Sequence, residues 1–234
     1  MKKLLLILLC LPMIGFGQKT FVPDDNFENY LESNNLGDGI QLNDSINSIS
    51  IEMLMFLDVS NQNISDLTGI KDFIAIRELN CGSNQLTSLD LSQNIYIDEL
   101  ECSFNQITYL DLSNNTELTK IYIDDNQLTY LDLRNGNNSN ILDFYASYNP
   151  NLTCINVDNI AWSTSNWLVS SYQIDSQHYF SNNCPPPSAI QEQTTNKELL
   201  KITNLLGREA KGTKNEVLFY IYDDGTLEKR IVIE

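Results

Sequence analysis

The apolar positions of the chain return at a fixed interval. Ile76 to Leu91, Ile97 to Leu112 and Leu118 to Leu133 superpose at a step of 21 residues, with Leu79, Leu100 and Ile121 in one slot and Cys81, Cys102 and Ile123 two places further on. A looser copy starts at Ile141 and keeps Asn149, with one extra residue near Pro150. Another copy, Leu57 to Ile64, precedes them with Gln62 in the asparagine position. A period this short means stacked coils, because one unit cannot bury its own apolar side and must share it with the next. The pattern predicts a solenoid of about five coils of 21–23 residues. In each coil the alternating apolar residues of the first arm face inward from a short strand, and the strands form a parallel sheet spaced by about 4.8 Å. The second arm, as in Leu86 to Leu91, is expected to run extended or as 3₁₀ turns along the outer side.

Asparagine occurs 29 times in the 234 residues, which suits a fold rich in bends. Asn84, Asn105, Asn126 and Asn149 recur where the chain leaves the strand. Pointing inward, each can supply amide donors and a carbonyl acceptor to backbone groups otherwise buried without partners, a structural ladder. Cys81 and Cys102 share their slot with Val59 and Ile123 and are therefore expected as buried thiols. Side chains of parallel strands in register point the same way, which disfavours a bridge between them. Cys154 falls instead in the outward slot of Ser88, Tyr109 and Tyr130 and is expected to pair with Cys184. The loop so closed holds Trp162, Trp167, Tyr172, Tyr179 and Phe180, aromatic area expected to cover the last coil. At the other end Asp24 or Asp25 caps a short helix whose Phe27, Tyr30 and Leu31 share one face over the first coil.

These units resemble the leucine-rich repeats of secreted bacterial proteins, of the short kind found in Bacteroidetes, and the likeness covers about residues 53–158. The segment from Phe21 to Glu32 is similar to the helix that opens such proteins. The resemblance implies a leucine-rich repeat solenoid with an N-terminal helical cap (18–52), a disulfide-closed C-terminal cap (159–184) and a small β tail. Cys184 is followed by three prolines and a polar stretch, a linker over 185–197 that cannot continue the coil. Beyond it, Leu199 to Glu209, Val217 to Tyr222, the Asp224-Gly225 turn and Leu227 to Ile233 predict one strand plus a hairpin. Ile202 to Arg208 and Glu228 to Glu234 resemble a short C-terminal sorting domain of type IX secretion (198–234), implying delivery by that machinery; a small β extension packed on the solenoid is the other reading.

Charge and termini narrow the class. The chain carries −17, of which residues 18–184 supply −18 from 5 bases and 23 acids. That segment repels phosphate backbones and anionic lipid, so nucleic acid is not expected as a partner. Lys2 and Lys3 followed by the apolar run Leu4 to Phe16 predict a signal peptide over 1–17, too short for a membrane span, with the cut before Gln18. Cys10 opens a lipoprotein reading, which Leu9 before it opposes.

Catalytic chemistry finds little support. His178 is the single histidine, no nucleophile–base set can be assembled around it, and nucleotide-binding and zinc-protease motifs are absent. No enzyme activity, cofactor or metal is expected from these motifs, with calcium as the open exception: Asp90, Asp111 and Asp132 form a column whose charges repel unless neutralised. The alternative is that each aspartate accepts from amides of its own turn. Alternation places Glu78, Asn80, Glu99, Glu101, Lys120, Tyr122, Asp124, Asp143 and Tyr145 on the outer sheet face, with Phe56, Asp58, Ser60, Gly82, Ser103 and Ser147. The expected function is a non-catalytic, secreted or cell-surface protein-binding or adhesion module using that face, with an extracellular protein or glycan as partner; a carbohydrate-binding surface protein is the alternative.

Overall fold

The computed structural model describes residues 18–185, 199–204, 217–222 and 227–231. The expected signal peptide, nearly all of the linker and the Asp224-Gly225 turn lie outside them. The chain divides into two compact units, one ending at Pro187 and one starting at Ser188.

The first unit opens with β1 (Lys19–Phe21), α1 (Asp25–Ser33) and β2 (Ser45–Asn47), the two strands pairing antiparallel. There follow β3 (Phe56–Asp58), β4 (Glu78–Asn80), β5 (Glu99–Glu101), β6 (Tyr109–Asp111), β7 (Lys120–Tyr122), β8 (Tyr130–Leu133), β9 (Asp143–Tyr145), β10 (Cys154–Val157), α2 (Ile160–Asn166) and β11 (Tyr179–Ser181). β3, β4, β5, β7 and β9 make a five-stranded parallel sheet, and β6, β8, β10 and β11 a second parallel sheet from the return arms. Leu57, Leu79, Leu100, Ile121 and Phe144 are register partners across the first sheet, so the coil steps are 22, 21, 21 and 23 residues. All five are at most 2% exposed. Val59, Cys81, Cys102, Ile123 and Ala146 form a second buried row beside them. Each buried aliphatic of this kind contributes about 2 kcal/mol, and truncating one leaves neighbours on both sides facing a void. Both cysteines of that row are free thiols. Short 3₁₀ turns occur at Ile70–Asp72 and Asn138–Asn140 in the outer connections.

α1 covers the first coil because Phe27 and Leu31 are fully buried and Phe27 lies against Phe73. Asp24 is its N-cap: Oδ1 accepts from the amides of Asn26 and Phe27. Its other oxygen accepts from the amide and hydroxyl of Ser65 and the amide of Asp66, tying helix to solenoid. Burial opposes that charge, but the donors from Ser65, Phe27 and Asp66 outweigh it and hold the carboxyl below its ordinary value.

At the far end Cys154 and Cys184 form a disulfide with Cα atoms 5.7 Å apart. Trp167 packs on Phe144 at 4.3 Å, with Trp162 edge-on to it at 5.5 Å and Phe180 at 5.6 Å. The aromatic cover is smaller than the sequence suggested. Tyr172 and Tyr179 are 76% and 52% exposed. Tyr172 ends a 3₁₀ turn in the left-handed region (φ 58°), which throws its ring outward, and Tyr179 is followed by the half-buried Phe180 on β11. The half-buried Trp162 stands on α2, capped by the Asn159 side chain accepting from the Trp162 amide, a helix that the coil pattern does not announce.

The second unit holds β12 (Leu199–Asn204), β13 (Val217–Tyr222) and β14 (Leu227–Ile231), an antiparallel sheet with β13 in the middle. Among the described residues no helix is long and apolar enough to cross a membrane.

Candidate functional site

The outer face of the five-stranded sheet is positioned by what lies beneath it. After each strand the chain bends inward through a residue in the left-handed region: Asn61, Ser83, Phe104, Asp125 and Tyr148 have φ between 52° and 58°. The asparagine one place later closes the bend in four coils. Asn105 Nδ2 donates to the carbonyls of Cys81, Cys102 and Ser103 at 3.0–3.3 Å, and its Oδ1 accepts from the Leu86 amide at 3.0 Å. Asn84, Asn126 and Asn149 repeat the pattern one coil apart, each reaching into the preceding coil. Gln62, one carbon longer, keeps only the bond to Ser60 O. Four rigid, fully bonded rungs therefore fix the strand register that the outer face inherits.

That register sorts the outer side chains into columns. The first is Phe56, Glu78, Glu99, Lys120, Asp143 and the second Asp58, Asn80, Glu101, Tyr122, Tyr145. Tyr122 and Tyr145 stack with ring centres 5.7 Å apart and planes 8° from parallel. The Tyr122 hydroxyl donates to Asp143 Oδ2 at 3.2 Å, and partial burial with the nearby Asp143 charge raises its pKa. Lys120 Nζ pairs with Glu99 Oε2 at 2.7 Å. The third column, Ser60, Gly82, Ser103, Asp124 and Ser147, does not line the surface as alternation suggested. Ser103 and Ser147 are 4% and 6% exposed: the Ser103 amide donates to Glu101 Oε1, and the Ser147 hydroxyl lies between Asp124 Oδ1 and the Tyr172 carbonyl of the cap. Asp124 is half-buried with its Oδ1 on the Ser147 amide and hydroxyl at 3.0 and 2.8 Å, and burial raises its pKa. It braces the face more than it presents to a partner.

The aspartate column on the return arm has local partners. Asp90, Asp111 and Asp132 accept from the amides of Ser92, Ser113 and Arg134 at 2.9–3.0 Å. Asp132 also pairs with the Arg134 guanidinium and accepts from the Tyr130 hydroxyl at 3.0 Å. Burial and that bond push the Tyr130 hydroxyl up to about 12. Among the described residues no three His, Cys, Asp or Glu side chains are placed to share a metal ion. His178 is a cap residue. Its Nδ1 accepts from the Asp175 amide at 3.2 Å, its Nε2 lies 3.5 Å from Asn149 O and from Asp175 Oδ2, and burial lowers its pKa.

Three features escape the repeat pattern. Asn94 and Asn115, at the end of the unit, form a second inner ladder, donating to Ile70 O and Phe73 O and to Leu91 O and Asn94 O. Their 21-residue spacing was the available signal. Glu28 is fully buried in α1 and accepts from the amides of Asn43 and Asp44. Beside the strand entrances Met53, Met55, Ile74, Ala75 and Tyr96 line an apolar recess of about 360 Å³ with Glu52 and Arg77; these connector positions differ from coil to coil.

The coils, the in-register rows, the asparagine rungs and the bridged cap define a leucine-rich repeat solenoid with a disulfide-closed end. Over 72 residues, 31% of this chain, the sequence is 38% identical to Internalin J of Listeria monocytogenes serotype 4b (strain F2365). The chain spans only 8% of that relative's length. Among solved structures, the functional domain of InlJ from Listeria monocytogenes, described as including a cysteine ladder, overlaps 59% of this chain and 33% of its own at 32% identity and a TM-score of 0.49. An internalin, InlF, from Listeria monocytogenes strain 4b F2365 overlaps 68% of this chain and 56% of its own at 18% identity and a TM-score of 0.46. No family model matches.

Proposed function

We propose that the protein is a non-catalytic, extracellular binding module that engages another protein through the outer face of its five-stranded sheet. One observation carries the reading. Tyr122 and Tyr145 stand stacked and half-exposed on a rigid face among Glu99, Glu101 and Asp143, where burial in an intermolecular contact is the physical use for aromatic area the fold itself does not need. The sequence likeness to Internalin J and the disulfide, a feature of oxidising compartments, support an exported location. The full chain as bait on extracellular fractions is expected to retain a specific partner. Glu101→Lys and Tyr145→Ala are each expected to cost at least about 2 kcal/mol, near 30-fold in affinity. Undiminished capture by both variants would remove the reading.

The alternative, glycan recognition, predicts glycan-array binding lost in Tyr122→Ala; a silent array counts against it. For the tail we propose a sorting role in type IX secretion. A reporter fused to residues 185–234 is expected to reach the cell surface in a host with that system, and its retention in the periplasm refutes the role.

A further inference from the structure

We infer that this face holds a subsite for the guanidinium of an arginine presented by a basic, extended segment of the partner protein; the inference rests on the binding reading above and specifies what the face receives. The stack of Tyr145 on Tyr122 ends one coil early. The next residue down the column is Glu101, not an aromatic, so the second face of the Tyr122 ring looks onto a recess of about 210 Å³ bordered by Phe56, Glu78, Asn80, Glu99 and Glu101. Glu101 is drawn away from the ring: its Oε1 accepts from the Ser103 amide at 2.8 Å. Gly82 leaves room for that posture, since a Cβ there would come 3.1 Å from the same oxygen. Tyr122 is held from the opposite side through its hydroxyl on Asp143. The recess runs from Tyr122 on β7 back to Phe56 on β3, so a flat group placed one coil step, about 4.8 Å, from the ring has room to continue the stack.

Charge chooses the group. Glu78 and Glu99 are register partners, like charges side by side, which is unfavourable on a sheet face. Lys120 reaches Glu99, while Glu78 has no ion-pair partner among the described residues. Five carboxylates, Asp58, Glu78, Glu99, Glu101 and Asp143, face one ammonium across the first two columns. A cation in the recess relieves a repulsion that the free protein carries, whereas neutral sugar hydroxyls leave it in place. An ammonium is attracted by the same field, but only a guanidinium offers a plane to the Tyr122 ring together with paired N–H donors for two carboxylates.

The test titrates the full chain with acetylated, amidated pentapeptides Ser-Gly-X-Gly-Ser, X being arginine, lysine or citrulline, at low salt. Ring resonances of Tyr122, assigned with Tyr122→Phe, are followed by NMR. The arginine peptide is expected to shift them and to bind at least about fivefold tighter than the lysine peptide. The citrulline peptide is expected not to bind, and Glu101→Gln or Tyr122→Leu to weaken the arginine peptide about tenfold while each variant still unfolds in one cooperative transition. Equal affinity for arginine and lysine, or binding indifferent to both variants, overturns the subsite. The same shifts produced by calcium chloride also overturn it, in favour of a metal. Partner capture lost in Tyr145→Ala but unchanged in Glu101→Gln removes the subsite and leaves the binding face; capture kept in every face variant removes the face itself.

Discussion

At the scale of single residues, the asparagine rungs have the sharpest consequences. Replacing Asn105 by Ala strands the Leu86 amide in a dry interior and takes one of two donors from the carbonyls of Cys81, Cys102 and Ser103, which keep Asn84, Asn126 and the Ser83 amide. A loss of about 2–4 kcal/mol is expected from urea unfolding; a loss below 1 kcal/mol would mean that solvent reaches the rung. The residue before it points the other way. Phe104 adopts φ 56° while 60% exposed, a conformation asparagine tolerates better. Phe104→Asn should therefore gain about 0.5–1 kcal/mol, and a measured loss would show that the ring packs on something. His178 gives the pH dependence. Its native pKa lies below the unfolded 6.5 because burial disfavours the charged ring. Its contribution is therefore complete above pH 6.5 and is lost as the pH falls from there through the lowered native value, when the unfolded chain takes up the proton first. The melting temperature of the wild type should fall over that window and that of His178→Gln should fall less; parallel curves would refute the assignment.

At the scale of elements, the two caps carry the predictions. Cys154 and Cys184 are 30 residues apart in the chain, and opening that loop is expected to cost about 3.5 kcal/mol in Cys154→Ser/Cys184→Ser or under reductant, read from chemical denaturation. Asp24→Ala removes both a helix cap and the link to Ser65, and about 2 kcal/mol is expected. How far these elements could be read in advance follows from their physics. The strands were legible because each buries residues at a fixed period, and Leu79, Leu100 and Ile121 in register are that period made solid. The disulfide was legible because Cys154 breaks the slot rule that Cys81 and Cys102 obey. α2 was not, because it occurs once and its anchor is one large ring, Trp167 against Phe144. The burial of Ser103 and Ser147 was not legible either: alternation tells which side of the sheet a residue takes and nothing of the Glu101 and Asp124 side chains or the Tyr172 carbonyl that meet it there.

For the whole solenoid, stability is distributed over neighbours and not centred on one nucleus. Deleting residues 97–117 removes one coil and places Ile121 where Leu100 stood, with Asn126 inheriting the slot of Asn105. Such a chain should retain its circular dichroism spectrum and cooperative unfolding at a lower midpoint; a molten product would show that the coils are not interchangeable.

The second parallel sheet, on the return arms, has a bearing on what size of partner can be accommodated. It pairs the return arms of the coils that hold β5, β7 and β9, with the cap strand β11 added, so in those coils both arms advance by the same increment, about 4.8 Å. Four such increments make the outer face of β3, β4, β5, β7 and β9 roughly 19 Å long across its strands. At about 3.3 Å per residue, that length matches a linear stretch of some six amino acids laid across the strands.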